Sequence, residues 1–192
     1  GDWKFFEPTA NLGIQLYGKT LGIYGLGNIG FEMAKRCVGA YNMKVIYHNH
    51  NKNGRAENEL NAEYVSFEEL LIRSDVLSVH TNLSKETRGK FDKTVFEKMK
   101  ETSIFINTAR GAIHNEEDLI HALQNGTIWG AGLDVTNPEP MKKDNPLLTM
   151  PNAAVLPHIG SATFETRDAM GFRALDNLDA IAAGRKPRDR VA

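Results

Sequence analysis

The sequence has a single cysteine, Cys37, so no disulfide can close within the chain, and a reducing compartment is the simplest setting for it. It also lacks an excess of either charge. With 23 lysines and arginines against 24 aspartates and glutamates, the net of −1 gives no electrostatic footprint for nucleic acid, and no such partner is expected. No apolar run approaches the roughly 20 residues of a membrane-crossing helix, and the first residues show no signal-peptide pattern, so no membrane partner and a cytoplasmic location are expected. There is no internal repeat, no low-complexity segment and no residue set assigned to a metal. The length fits one domain with a full-sized core, or one domain with an appendage.

What is present centres on residues 20–30. A short apolar run at 21–24 suits a buried strand, and Gly25-x-Gly27-x-x-Gly30 follows it just before a helical pattern begins at Ile29. Gly25 would allow a tight turn, Gly27 a close backbone approach to a pyrophosphate, and Gly30 close packing of helix on strand. The helix N-terminus would then bind phosphates through its free N–H groups and positive dipole end. A purely structural glycine turn is the competing reading.

Residues 1–19 form an aromatic arm, with Trp3, Phe5, Phe6, Leu12 and Tyr17 in no clear period; it would pack on its own domain or reach another. Beyond the glycine turn, Ile29, Met33, Ala34, Cys37, Val38 and Tyr41 fall at helical spacing and predict one apolar face, which makes Cys37 a core residue rather than a nucleophile. Further strands are expected at 43–47, 75–80, 103–107, 129–135 and 153–156. Helices are expected at 66–72, where Ser66-x-x-Glu69 forms a capping box, and at 91–100 and 115–124. Strands alternating with helices predict an α/β fold, a doubly wound parallel sheet, with six strands in all. A longer helix at 163–183, with Met170, Ala174, Leu178 and Ile181 on one face, stands apart as an extra C-terminal element. The expected division is therefore 1–19, 20–162 and 163–192.

The run 48–55 bears on cofactor choice. The end of the second strand is where a dinucleotide fold places an acid on the ribose 2′-hydroxyl, and no Asp or Glu occurs there before Glu57. His50, Lys52 and Arg55 could accept a 2′-phosphate instead, so NADP is favoured over NAD; a solvated loop that touches nothing is the alternative. Thr81, Asn82 and Leu83 follow the third predicted strand, at the strand ends where such sheets bind ligands, and His80 reads as structural. Three further ionisable residues follow successive strands: Arg110, Glu139 and His158. Each has an ordinary explanation as a turn or loop residue. Together they offer a planar fork for a carboxylate, a group able to pass a proton near neutral pH, and an acid to orient it.

Gly-Leu-Gly-Asn-Ile-Gly at 25–30, Asn-Thr-Ala-Arg-Gly at 107–111, Gly-Leu-Asp-Val at 132–135, Pro-Glu-Pro at 138–140 and Leu-Pro-His-Ile-Gly-Ser-Ala-Thr at 156–163 resemble the D-isomer-specific 2-hydroxyacid dehydrogenases. Residues 98–158 most resemble the glyoxylate/hydroxypyruvate reductases among them. The resemblance implies a Rossmann-type dinucleotide-binding domain and an NAD(P)-dependent oxidoreductase acting on a small 2-keto acid. It implies that Arg110 binds the substrate carboxylate, that His158 is the general acid/base assisted by Glu139, and that Asp134 contacts the nicotinamide end. The cofactor contacts it carries over are Gly25, Gly27, Asn28, Ile29, Gly30, His48, Asn49, His50, Thr81, Asn82, Leu83, Thr108, Ala109, Arg110, Asp134, His158 and Gly160. Asn28 departs from the family's common residues, and the arginine that NADPH-preferring members carry near 48–50 is absent, as is the NAD-type acid.

The family also has a substrate-binding domain built mostly from residues ahead of this stretch. Gly1-Asp2-Trp3 resembles the point where the chain enters the cofactor domain, so the resemblance implies a cofactor domain that turns over poorly alone, with its C-terminal helix lacking its usual packing partner. A homodimer is expected. A cofactor-sensing corepressor, which shares these residues, and phosphoglycerate dehydrogenase are the alternative identities.

Overall fold

The computed structural model describes residues 5–10 and 12–190; Gly1-Asp2-Trp3 lies outside the described residues. The chain divides into two compact units, Gly1–Leu156 and Pro157–Ala192. In the first, seven parallel strands form one sheet: β1 Thr20–Tyr24, β2 Lys44–His48, β3 Glu63–Tyr64, β4 Val76–Val79, β5 Ile104–Asn107, β6 Gly130–Leu133 and β7 Ala153–Val155. Their order is β3-β2-β1-β4-β5-β6-β7. The chain winds outward from β1 in one direction, returns, and winds outward from β4 in the other, which is the doubly wound arrangement expected.

Alternation along the strands assigns the two faces. Leu21, Ile23, Val45, Tyr47 and Val76 belong to one buried cluster with Phe31 and Ala34 of helix α1 (Asn28–Tyr41) and Ala56 of α2 (Gly54–Leu60). Ile46, Leu77, Val79, Phe105, Ala131 and Leu133 belong to the other. That second cluster takes in α3 (Phe67–Arg73), α4 (Lys93–Phe96) and α5 (Glu116–Gln124). A strand buried on both faces reads as a near-continuous apolar run, which is why 21–24 and 76–79, the latter broken only by buried Ser78, were legible without alternation.

The structure corrects several expectations. There are seven strands, because the two-residue β3 is too short to carry a periodic signal; it pairs with Ile46 and Tyr47 at the sheet edge. Part of the polar run at 48–55 opens α2, whose N-cap Asn53 accepts from Ala56 N. The helix expected over 91–100 is only the single turn of α4, while Phe91 bridges to His114. On α1 the buried residues are Gly30, Phe31 and Ala34, whereas Ile29 is 73% exposed and Tyr41 also faces solvent. The middle of the expected stripe holds, with Ala34 buried and Cys37 and Val38 packed against the same cluster, while its ends at Ile29 and Tyr41 face solvent. Ser66 and Glu69 do form the expected capping box.

The second unit holds α6 (Phe164–Ala182), with Thr163 accepting from Thr166 N at its N-terminus. Its Phe164, Met170, Phe172, Leu175, Leu178 and Ile181 are each at least 55% exposed. In the arm, Phe5, Phe6, Leu12 and Tyr17 are exposed, and Leu16 packs against the α1 cluster. Among the described residues, no helix is long and apolar enough to cross a membrane.

Candidate functional site

Because every strand is parallel, all the loops that follow strand C-terminal ends emerge along one edge of the sheet. A cleft of about 770 Å³ opens there, between the loops after β1, β2 and β4, at the point where the winding reverses. Gly25, Gly27, Asn28 and Ile29 line it from the first loop, His48, Asn49 and His50 from the second, and Thr81 and Asn82 from the third. Asn51, Lys52 and His80 also line it, and no aspartate or glutamate does.

Gly25 and Gly30 take the turn and packing roles that the sequence suggested. Gly25 has φ +97°, and a Cβ there would lie 2.8 Å from the backbone of His80 and Thr81. At Gly30 a Cβ would meet Gly25 O at 3.0 Å and the Ile23 side chain at 3.2 Å, so α1 sits directly on β1. Gly27 faces open space. As N-cap of α1 it offers no side-chain cap, and no acid stands in the first turn. By contrast α2, α3, α4, α5 and α6 are each capped by a side chain. The unsatisfied N–H groups at the start of α1, with the positive end of its dipole, therefore border the cleft as a seat for an anion.

The loop after β2 is tied down rather than loosely solvated. Asn49 Oδ1 accepts from Leu26 N (2.6 Å), and Leu26 O accepts from Asn49 Nδ2 (3.2 Å) and Asn53 Nδ2 (2.9 Å). His48 Nδ1 lies 2.9 Å from Val65 O, and its ring stacks between Tyr24 and Tyr64. Arg55 does not line the cleft: its guanidinium lies 3.9 Å from the Phe31 ring centroid and pairs with Glu59 at 2.9 Å, which corrects its expected role as a phosphate acceptor. Asn53 was missed in the sequence, although Asn53-Gly54 before a helix is a recognisable cap signal.

Further along the same edge, Thr108, Ala109 and Arg110 follow β5. Buried Asn107 shapes that turn: its Oδ1 accepts from Ala109 N (3.0 Å), and its Nδ2 donates to Arg110 O (3.0 Å) and to His114 Nδ1 (3.0 Å). The Arg110 side chain is exposed, with Nη1 donating to Ala109 O. Gly111 is pressed against the next loop, since a Cβ there would stand 2.0 Å from Thr136 O. Thr136 N in turn donates to Glu139 Oε2 at 3.4 Å, so the turn bearing Arg110 abuts the loop bearing Glu139. Asp134, which begins that loop, is buried and its N–H donates to Asn107 O. Leu83 and Gly30 stand outside the cleft lining, as do Thr108, Ala109 and Arg110. His158 and Gly160 lie in the second unit. There His158 has φ 55°, a left-handed conformation otherwise found, among the described non-glycine residues, at Asn42 and Asn61. Such outliers cluster at functional positions.

Two histidines near this edge are held neutral by burial. His80, with Nε2 2.9 Å from Ser78 Oγ, and His114 both have pKa values pushed down to about 4. His114 Nδ1 accepts from Asn107, so Nε2 carries the hydrogen, and that N–H has no partner among the described residues. No group of three or more His, Cys, Asp or Glu able to hold a metal occurs among the described residues.

Comparison with known proteins adds to this geometry. Residues 1–160 match the family described as D-isomer specific 2-hydroxyacid dehydrogenase, NAD binding domain. Glyoxylate/hydroxypyruvate reductase B of Salmonella agona (strain SL483) is 46% identical over 182 residues, covering 94% of this chain and 56% of that protein. Among solved structures, the TT0316 protein from Thermus thermophilus superposes with a TM-score of 0.91 at 43% identity, over 99% of this chain and 59% of that one. A glyoxylate reductase from Paecilomyes thermophila gives a TM-score of 0.83 at 43% identity, over 90% of this chain and 52% of that one. The chain spans about half the length of the curated relatives it matches.

Proposed function

Given that the chain belongs to the D-isomer specific 2-hydroxyacid dehydrogenases, matching their NAD binding domain, we propose that it binds a nicotinamide dinucleotide and supplies the acid/base and carboxylate-binding side chains for reduction of a small 2-keto acid of the glyoxylate or hydroxypyruvate kind. The observation that carries this reading is the acid-free cleft bordered by the uncapped start of α1. A bound dinucleotide would place its pyrophosphate on the N–H groups of Asn28, Ile29 and Gly30, and its adenosine ribose beside the loop 48–53.

When bound, a nicotinamide would supply the hydride for the substrate's carbonyl carbon. Arg110 holds the carboxylate bidentately, which fixes the carbonyl's orientation. His158 delivers the proton to the developing alkoxide, with Glu139 as the acid that assists it. Asp134 and residues 108–109, with Gly160, complete the nicotinamide side. NADPH is the preferred cofactor in this reading: Lys52 and His50 border the cleft, and no carboxylate is present to repel a 2′-phosphate. The exposed apolar face of α6 and the 5–17 arm are the surfaces that would meet a substrate domain and a second copy.

In the intact protein that carries this chain, His158→Asn is expected to lower kcat about 100-fold or more with little change in KM, and Arg110→Lys to raise the 2-keto acid KM about 10-fold. Normal kinetics in either variant would remove that residue's role. Cofactor-dependent association without turnover in the unmodified protein would favour the sensing alternative.

A further inference from the structure

All three N–H groups of the Gly25-Leu26-Gly27 turn are engaged within the protein. Gly25 N donates to His48 O (3.1 Å), Leu26 N to Asn49 Oδ1 (2.6 Å) and Gly27 N to Gly25 O (2.9 Å). The turn therefore presents no N–H of its own to a ligand, and the phosphate seat falls to the first residues of α1, whose placement the turn decides. Two of these bonds come from the far side of the cleft, from His48 O and Asn49 Oδ1, and there Asn49 Nδ2 and Asn53 Nδ2 also converge on Leu26 O.

We propose that Asn49 and Asn53 are positioning residues that clamp Leu26, so that the loop facing the adenosine ribose and the turn that sets the phosphate seat move as one unit. This rests on the dinucleotide reading of the cleft. Asn49 occupies the strand-end region where a dinucleotide fold keeps its ribose acceptor, but its amide is engaged on both sides: Oδ1 takes the Leu26 N–H and Nδ2 reaches Leu26 O. One lone pair of its oxygen and one of its amide hydrogens are held by Leu26, and its contribution to binding is assigned to the turn rather than to the ribose. Asn53 does two jobs at once, since Oδ1 caps α2 at Ala56 N while Nδ2 holds Leu26 O. The clamp thereby joins α2, β2 and the start of α1 around a buried Leu26 side chain.

Two variants separate the clamp from folding. Asn49→Ala deletes both bonds to Leu26, and Asn53→Ser keeps a good helix cap while becoming too short to reach Leu26 O. The unmodified chain and both variants are to be compared by amide hydrogen exchange at Leu26 and by titration with ADP-ribose and with adenosine, which lacks the pyrophosphate. Asn49→Ala is expected to speed Leu26 exchange by about 100-fold and to weaken ADP-ribose binding about 10-fold, while adenosine affinity changes less than about two-fold. Asn53→Ser is expected to act in the same direction by about three-fold on ADP-ribose, and it carries the test if Asn49→Ala does not fold. Equal losses for both ligands would make Asn49 a ribose ligand and overturn the clamp, as would unchanged ADP-ribose binding in a variant whose Leu26 exchange has risen. Failure of the unmodified chain to bind ADP-ribose would instead overturn the dinucleotide reading, and the clamp's role with it.

Discussion

Gly27→Asp is expected to abolish cofactor binding while leaving the protein as stable as before or slightly more so. Position 27 has room for a side chain, with nothing within 4 Å of a Cβ, and its φ of −91° suits any residue. An aspartate there is a good helix cap and places a negative charge at the positive end of α1, which contributes a few tenths of a kcal/mol over glycine, or about 1 °C in Tm for a domain of this size. The same carboxylate would take the N–H groups that a pyrophosphate needs and repel it at close range. Loss of two such hydrogen bonds together with the added repulsion amounts to about 3 kcal/mol or more, at least a 100-fold weaker Kd. Opposite movements of stability and binding distinguish a functional glycine from a structural one: unchanged NADPH binding by a folded Gly27→Asp variant would mean that the start of α1 does not hold the phosphates.

A second large effect is acid lability between about pH 6.5 and 4. Burial holds His80 and His114 at pKa values of about 4, against 6.5 for an exposed imidazole. Above pH 6.5 both histidines are neutral in the folded and the unfolded chain and contribute no pH dependence. Between 6.5 and 4 the unfolded chain binds protons that the folded chain refuses, so stability falls as pH falls, and below about 4 the two states again bind equally. Each histidine accounts for about 3 kcal/mol across that window, a large share of the total stability of an ordinary domain. The paired carboxylates Glu63, Asp75 and Asp92, whose pKa values are lowered, lose their contributions only at lower pH. Urea unfolding at pH 7.5, 6 and 5 reads the effect directly. His114→Leu should roughly halve the slope against pH, even though it also lowers stability at pH 7.5 by leaving one of the two Asn107 amide hydrogens without an acceptor while the other stays on Arg110 O. A flat profile from pH 7 to 5, or an unaltered slope in the variant, would contradict this assignment.

The parts of this fold that were legible in the sequence are those fixed by strong local physics. Buried parallel strands leave near-continuous apolar runs such as 76–79, broken only by the buried Ser78. Caps leave Ser66-x-x-Glu69 and Asn115, and the glycine turn leaves its spacing. Positions that depend on partners distant in sequence were not legible. Strand β3 exists because β2 offers it an edge, α2 begins where Asn53 is drawn toward Leu26, and Arg55 is committed to a phenylalanine 24 residues earlier in the sequence. The cleft-lining candidates after β1, β2 and β4 were found because parallel topology sends each strand end to the same edge. What no spacing could reveal is the neutral state of His114 and the contact of Gly111 on Thr136, both products of tertiary packing.

The central claim is that the cleft at the start of α1 is a nicotinamide dinucleotide site, and the most direct test is a parallel equilibrium titration of this chain with NADPH and NADH, followed by calorimetry. The account predicts saturable binding of both at one site per chain, with NADPH the tighter ligand because Lys52 and His50 border a cleft that contains no carboxylate. Absence of binding by either cofactor to the folded chain would contradict it.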